Sequence, residues 1–184
     1  MLNIAENVFA KMIWIFNLIL TNMKKQIRQN VFETNSSSTH SICIAKNAEL
    51  TIPDKLHFSF GEFGWECNTL SSISEKADYL YTGLFANDRT DDINKISEIL
   101  NSKGIDTTFE EATYKEGRTY SDNSGYVDHS NELGEFLDAV CNNEETLLQF
   151  LFSPLSFIIT GNDNDDMDVD INVSYEHEEF YKGN

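Results

Sequence analysis

The chain has 184 residues, enough for one domain with a sizeable core. Its 40% hydrophobic content, with 13 Phe, 7 Tyr and 2 Trp, excludes a disordered acidic polypeptide, which lacks aromatic mass. The formal net charge of -18 argues against direct binding to bare nucleic acid or an anionic membrane surface, and favours basic partners or cations.

The charge is uneven. Residues 1–30 hold Lys11, Lys24, Lys25 and Arg28 against Glu6 alone. The remaining residues carry nine basic and thirty acidic side chains, a net of -21. Within 1–22, the run from Met12 to Leu20 is apolar apart from Asn17. It lacks the basic start and small-residue cleavage site of a signal peptide and is short for a membrane span. Residues 1–22 are read as an apolar helix: either a leader upstream of a second start at Met23, or a helix docked on the protein or on a membrane surface. Membrane contact is expected only if that segment is retained and exposed.

Residues 23–184 are expected to form a single α+β domain with an acidic C-terminal segment. Strands are predicted over 25–33 and 39–46, joined as an N-terminal β-hairpin by TNSSS. In the second strand Ile42 and Ile44 share one face, with Ser41, Cys43 and Ala45 on the other. Residues 56–60 alternate again and break at Gly61 and Gly64. In GEFGWE, a tight loop is expected to be anchored on the core by Trp65. Helical spacing places Ala77, Leu80, Tyr81 and Leu84 on one stripe over 75–85.

A further helix over 91–103 shows Ile93, Ile96, Ile99 and Leu100 in one stripe, with Thr90 or Asp91 as its cap and Gly104 at its end. A strand over 104–114 and a loop over 116–125 follow. Helices are predicted over 131–140, capped by Ser130, and over 144–152. A short apolar strand at 155–160 runs into the acids. Runs of strands and helices without regular alternation indicate α+β, not a doubly wound sheet.

Three stretches offer chemistry. In VFETNSSSTHS, hydroxyls, an amide and an imidazole crowd together. The side chains of Thr34, Asn35, Ser36, Ser37 and Ser38 can fold onto nearby backbone as a turn or converge on an anion. The glycines and lysine of a P-loop are missing. In YVDHS, Asp128 and His129 fall on opposite faces if the strand continues, so one of them is expected to be buried. With His40 they are the candidate catalytic groups. In GNDNDD, Asp163 and Asp165 are candidate ligands for a divalent cation, because hard oxygen donors gather at a strand end. The spacing is not that of an EF-hand, since the position that needs glycine falls on Asp168 or Ile171. As a solvated surface, Asp163, Asp165, Asp166, Asp168 and Asp170 would face a basic partner. Cys43, Cys67 and Cys141 show neither a paired metal spacing nor a disulfide framework, consistent with a reducing compartment.

Taken together, IRQNVFETNSSSTHSI, GEFGWE, KADYLYTGL, YVDHS and FLFSPLSFIITGNDND resemble an uncharacterised family of bacteriophage and prophage proteins. The resemblance covers about residues 23–166. It implies a phage or mobile-element origin and the cytoplasm of a bacterial host. It carries no activity and assigns no residue a role. The first expectation is therefore an acidic accessory protein that binds a basic host macromolecule, as an anti-defence inhibitor would. The alternative is a metal-assisted hydrolase or nucleotide-processing enzyme that draws on the Ser, His and Asp residues above. A third reading is a sponge that holds a phosphorylated ligand at the TNSSS turn.

Overall fold

The structure is a computed structural model that describes residues 38–64, 66–116, 119–162 and 177–182. All of these belong to one compact unit, Asn35–Asn184. The elements in chain order are β1 (Ser38–Ala45), β2 (Lys55–Phe58), β3 (Glu62–Phe63), β4 (Asn68–Leu70), α1 (Ile73–Ala86) and α2 (Thr90–Ser102). They continue as β5 (Asp106–Phe109), β6 (Tyr126–Val127), a 3₁₀ turn (Ser130–Leu133), α3 (Gly134–Asn142), α4 (Glu144–Phe152), β7 (Phe157–Asn162) and β8 (His177–Lys182). The class is α+β. Residues 1–22 and the turn residues Thr34, Asn35, Ser36 and Ser37 lie outside the described residues, as does Trp65; for Ser38 only the backbone is described.

The main sheet runs β4-β7-β1-β8, all neighbours antiparallel. β1 is its inner strand: His40 faces Thr160 of β7 on one side and Lys182 of β8 on the other. Ile42, Cys43, Ile44 and Ala45 are all buried, so both faces of this strand are covered. The alternation expected from the sequence therefore separates two buried faces, not core from solvent. The first arm of the expected hairpin, 25–33, lies outside the described residues. Along residues 40–43 of β1 both edges are already paired, to β7 and β8.

The acidic segment turns out not to be a free tail. β7 ends with Asn162 paired to Ser38, and β8 begins with His177 paired to Ala45. The chain returns to the sheet after its run of carboxylates. Asp163, Asp165, Asp166, Asp168 and Asp170 thus fall within a connection between two strands, and they lie outside the described residues.

α1 is the centre of the unit and touches β2, β6, α2, α3 and α4. Ser72 caps it, taking the Glu75 N–H while the Glu75 carboxylate accepts from the Ser72 N–H. Contacts on all sides bury Lys76, Ala77, Tyr79, Leu80, Tyr81, Thr82, Gly83 and Leu84, far more than one stripe. α2 does show the stripe, burying Ile96 and Leu100 with Ile93 and Ile99 packed at its margin. Arg89 precedes it, and neither Thr90 nor Asp91 is its cap. Gly104 closes it at φ +83°, as the sequence indicated.

β2 and β5 pair in parallel, which the intervening α1 and α2 make possible as a crossover. Aromatic rings knit these layers. Phe58 stacks on Phe109 and Phe60 on Tyr81, both with centroids 4.7 Å apart. Beneath them Tyr79 meets Phe63 and Phe136 edge-on.

The turn that follows α4 joins three elements. Ser156 Oγ accepts the Ala45 N–H of β1 and donates to the Gln149 carbonyl of α4. Lys76 of α1 reaches the same turn, its ammonium donating to the Ser153 carbonyl at 2.7 Å and the Ser156 carbonyl at 3.1 Å. Among the described residues no helix is long and apolar enough to cross a membrane.

Candidate functional site

Strand periodicity puts His40 on the same face of β1 as Ile42 and Ile44. Its ring is 1% exposed and meets the hydroxyl of Tyr79, 2.9 Å from Nδ1. Burial drives the Tyr79 phenol far above its usual range, so it stays protonated and keeps its hydroxyl hydrogen.

Above His40 lies the short parallel ribbon of β3 and β6, in which Glu62 faces Tyr126 and Phe63 faces Val127. Gly64, at φ +124°, ends the first strand. A side chain there would have no room: its Cβ would stand 2.7 Å from Asp128 Cβ and 3.0 Å from His40 Nε2. The missing side chain lets Asp128 and His40 approach each other. Two of the three candidate catalytic residues are thus brought together, with Tyr79 as an unforeseen third member.

His129 diverges. Strand β6 stops at Val127, and His129 adopts φ +52°, with its Nδ1 3.6 Å from Glu132 Oε1 and its side chain 30% exposed. The histidine that is buried in this region is His40. The Asp128 carboxylate accepts the His129 N–H at 3.1 Å, which holds the left-handed corner. His40 bonded to Tyr79 is thus a buried polar contact between β1 and α1, while Asp128 is only partly buried at the end of the ribbon.

The ribbon's other end is fixed by two glycines in contact. Tyr126 N–H donates to the Gly61 carbonyl at 2.9 Å, and Gly125 (φ +61°) lies flush against that peptide. The amides of residues 59–61 are each capped by a side chain: Ser59 by Asp78, Phe60 by Glu110 and Gly61 by Thr82. Burial raises the Asp78 carboxyl above the ordinary range, and the bond from Ser59 N–H opposes that rise.

The connection from β5 to β6 is tied by Asn123. Its amide nitrogen donates to Glu110 Oε1 and the Glu111 carbonyl, while its Oδ1 accepts from Thr113 N–H and the Ser121 hydroxyl. Tyr114, Tyr120 and Tyr126 project from this connection with 56%, 62% and 38% of their surface exposed.

Two further features have little chemical reach. A cleft of about 190 Å³ at the far end of β1 is lined by Lys46, Asn47, Glu145, Gln149 and Glu178. It is smaller than an ordinary small-molecule site. Burial pushes the Cys141 thiol up to about 12, so it is inert as a nucleophile. None of the cysteines is in a disulfide, and no group of three or more His, Cys, Asp or Glu among the described residues could hold a metal ion. The candidate ligands Asp163 and Asp165 lie outside them.

Comparison with protein-family models, curated proteins and solved structures yields no match to this chain.

Proposed function

We propose that this is an acidic binding protein, encoded by a phage or mobile element, that engages a basic surface of a host macromolecule in the bacterial cytoplasm. An anti-defence inhibitor that occupies the nucleic-acid groove of a host protein is the specific form of this reading. Its own interaction with nucleic acid or membranes is disfavoured by like charge.

The observation that carries the proposal is where the cations go. Arg89 is held by Asp92 and Asp138, Lys103 by Glu144, Lys115 by Asp122 and Lys55 by Asp106. Lys76 is buried against carbonyls, and Lys95 donates to Asn142. These positive charges are engaged within the molecule, while carboxylates outnumber them heavily. Between Arg118 and Lys182 the sequence has fifteen carboxylates and no lysine or arginine. A field of that sign draws in basic surfaces and speeds their encounter.

The test is capture from an expressing bacterial host at about 0.1 M and about 0.5 M salt, where screening lengths differ roughly twofold. The bait is compared with a variant carrying Asp→Asn at 163, 165, 166, 168 and 170. Neutralisation is preferred to truncation because β8 follows the acids and pairs with β1. The expected result is a basic protein retained at low salt, released at high salt and lost from the variant. Equal retention at both salt concentrations, or by both baits, contradicts the proposal.

A further inference from the structure

Of the large apolar side chains exposed among the described residues, Tyr114, Tyr120 and Tyr126 come from one stretch of the chain; Ile52 is the other. Their backbone is held in place. Asp122 N–H donates to the Thr113 carbonyl, closing the segment that contains Tyr114 and Tyr120, and the Asn123 bonds anchor that closure to Glu110. Tyr126 is fixed by its bond to Gly61 and by its pairing with Glu62. Rigid tyrosines carry much contact area at a small entropy cost, which is why they concentrate at recognition surfaces.

The surroundings of Tyr126 select the kind of partner. Glu62 lies opposite it in the ribbon, Asp128 follows two residues later, and Glu66 is close enough to act on its phenol. Among the described residues none of these carboxylates is ion-paired with a lysine or arginine. The loop's Lys115 is engaged by Asp122 at 3.4 Å. An aromatic face beside carboxylates attracts a guanidinium twice, through the ring and through charge-assisted hydrogen bonds. A second copy of this chain would bring a net -18 against a net -18, and nucleic acid or anionic lipid meets the same repulsion.

We infer that Tyr126, together with Tyr114 and Tyr120 from the same stretch of chain, forms the contact surface for arginine-rich segments of a basic protein partner. This rests on the proposed function and gives it a location. Arginine is favoured over lysine because its planar, weakly hydrated head stacks on rings and forks onto carboxylates.

The experiment uses the full chain and fluorescein-labelled nona-arginine and nona-lysine peptides at about 0.15 M salt. Nona-arginine binds more tightly than nona-lysine. Tyr126→Ala weakens nona-arginine by about tenfold at unchanged net charge, and Tyr126→Phe, which keeps the ring, binds as the wild type does. The double variant Tyr114→Ala/Tyr120→Ala weakens it as well, with circular dichroism unaltered in all three. Tyrosine variants that bind normally, while the Asp→Asn variant at 163–170 does not, overturn this surface and leave the proposed function standing. Failure of the wild type to bind either peptide, even at about 0.05 M salt, overturns both. A tyrosine-dependent dimer in sedimentation equilibrium would assign the surface to self-association and overturn the inference.

Discussion

Gly125→Ala destabilises the protein by about 3 kcal/mol, read as a lowered urea midpoint at unchanged slope. Two independent costs combine. The backbone stands at φ +61°, a region that L side chains enter at about 1–2 kcal/mol. The added Cβ would also fall 2.0 Å from the Gly61 carbonyl oxygen and 2.8 Å from its carbon. That neighbour is backbone, it accepts from Tyr126 N–H, and its own amide is capped by Thr82. Neither side can yield without breaking the ribbon. Gly134→Ala is the control: it sits at φ -50° with nothing within 4 Å of the added methyl, and stability is kept or slightly raised. A loss at Gly125 of less than about 0.5 kcal/mol would mean that the two glycines are not in contact.

Lys76→Met costs about 1–3 kcal/mol at neutral pH, because the Ser153 and Ser156 carbonyls lose the donor that satisfies them inside the core. Methionine conserves length and apolar stem, so the change isolates the ammonium. The substitution also alters the pH profile. Burial lowers the Lys76 ammonium from 10.5 to about 8, with the charge of Glu75 opposing the shift. In the unfolded chain the lysine keeps its ordinary value and binds its proton to higher pH. Between about pH 8 and 10.5 the unfolded state therefore holds more protons, and this group makes stability rise with pH across that window. Below pH 8 both states are protonated and its contribution is flat. Urea titrations from pH 7 to 10.5 should show this rise in the wild type and its loss in Lys76→Met. A variant more stable than wild type at pH 7 would show that the cost of burying the charge exceeds the value of its two bonds.

The sequence made the amphipathic elements legible and the enclosed ones opaque. α2 presents a polar face to solvent, so its stripe of Ile96 and Leu100 is visible in the periodicity. α1 is packed on several sides, and there a stripe of four residues understates the burial. Lys76 and Tyr79 look like the solvent face of an amphipathic helix and are in fact inside, because each finds a polar partner supplied by a distant part of the chain. Such partners, 77 and 39 residues away, leave no trace in local spacing.

The same reason divides the candidate site. GEFGWE reads as a tight loop and YVDHS as a stretch with candidate chemistry, and the two pair as β3 and β6. Nothing local indicated that Gly64 would bring Asp128 to His40, since that follows from register between strands. The loop over 116–125 was recognisable from its turn residues. That Asn123 would fix it and leave tyrosines outside depends on Glu110, 13 residues earlier in the chain. The acidic segment looks terminal in the sequence because β8 carries two adjacent glutamates, Glu178 and Glu179, which hide its strand character.

The most direct measurement is the association rate of the purified chain with its captured partner, followed across ionic strength. Electrostatic attraction between a carboxylate-dominated surface and a basic one predicts a rate that climbs by about tenfold or more as salt is lowered from about 0.5 M to about 0.05 M, with dissociation changing far less. A rate that stays level over that range would contradict the account, for the protein would then be recognised by something other than its charge.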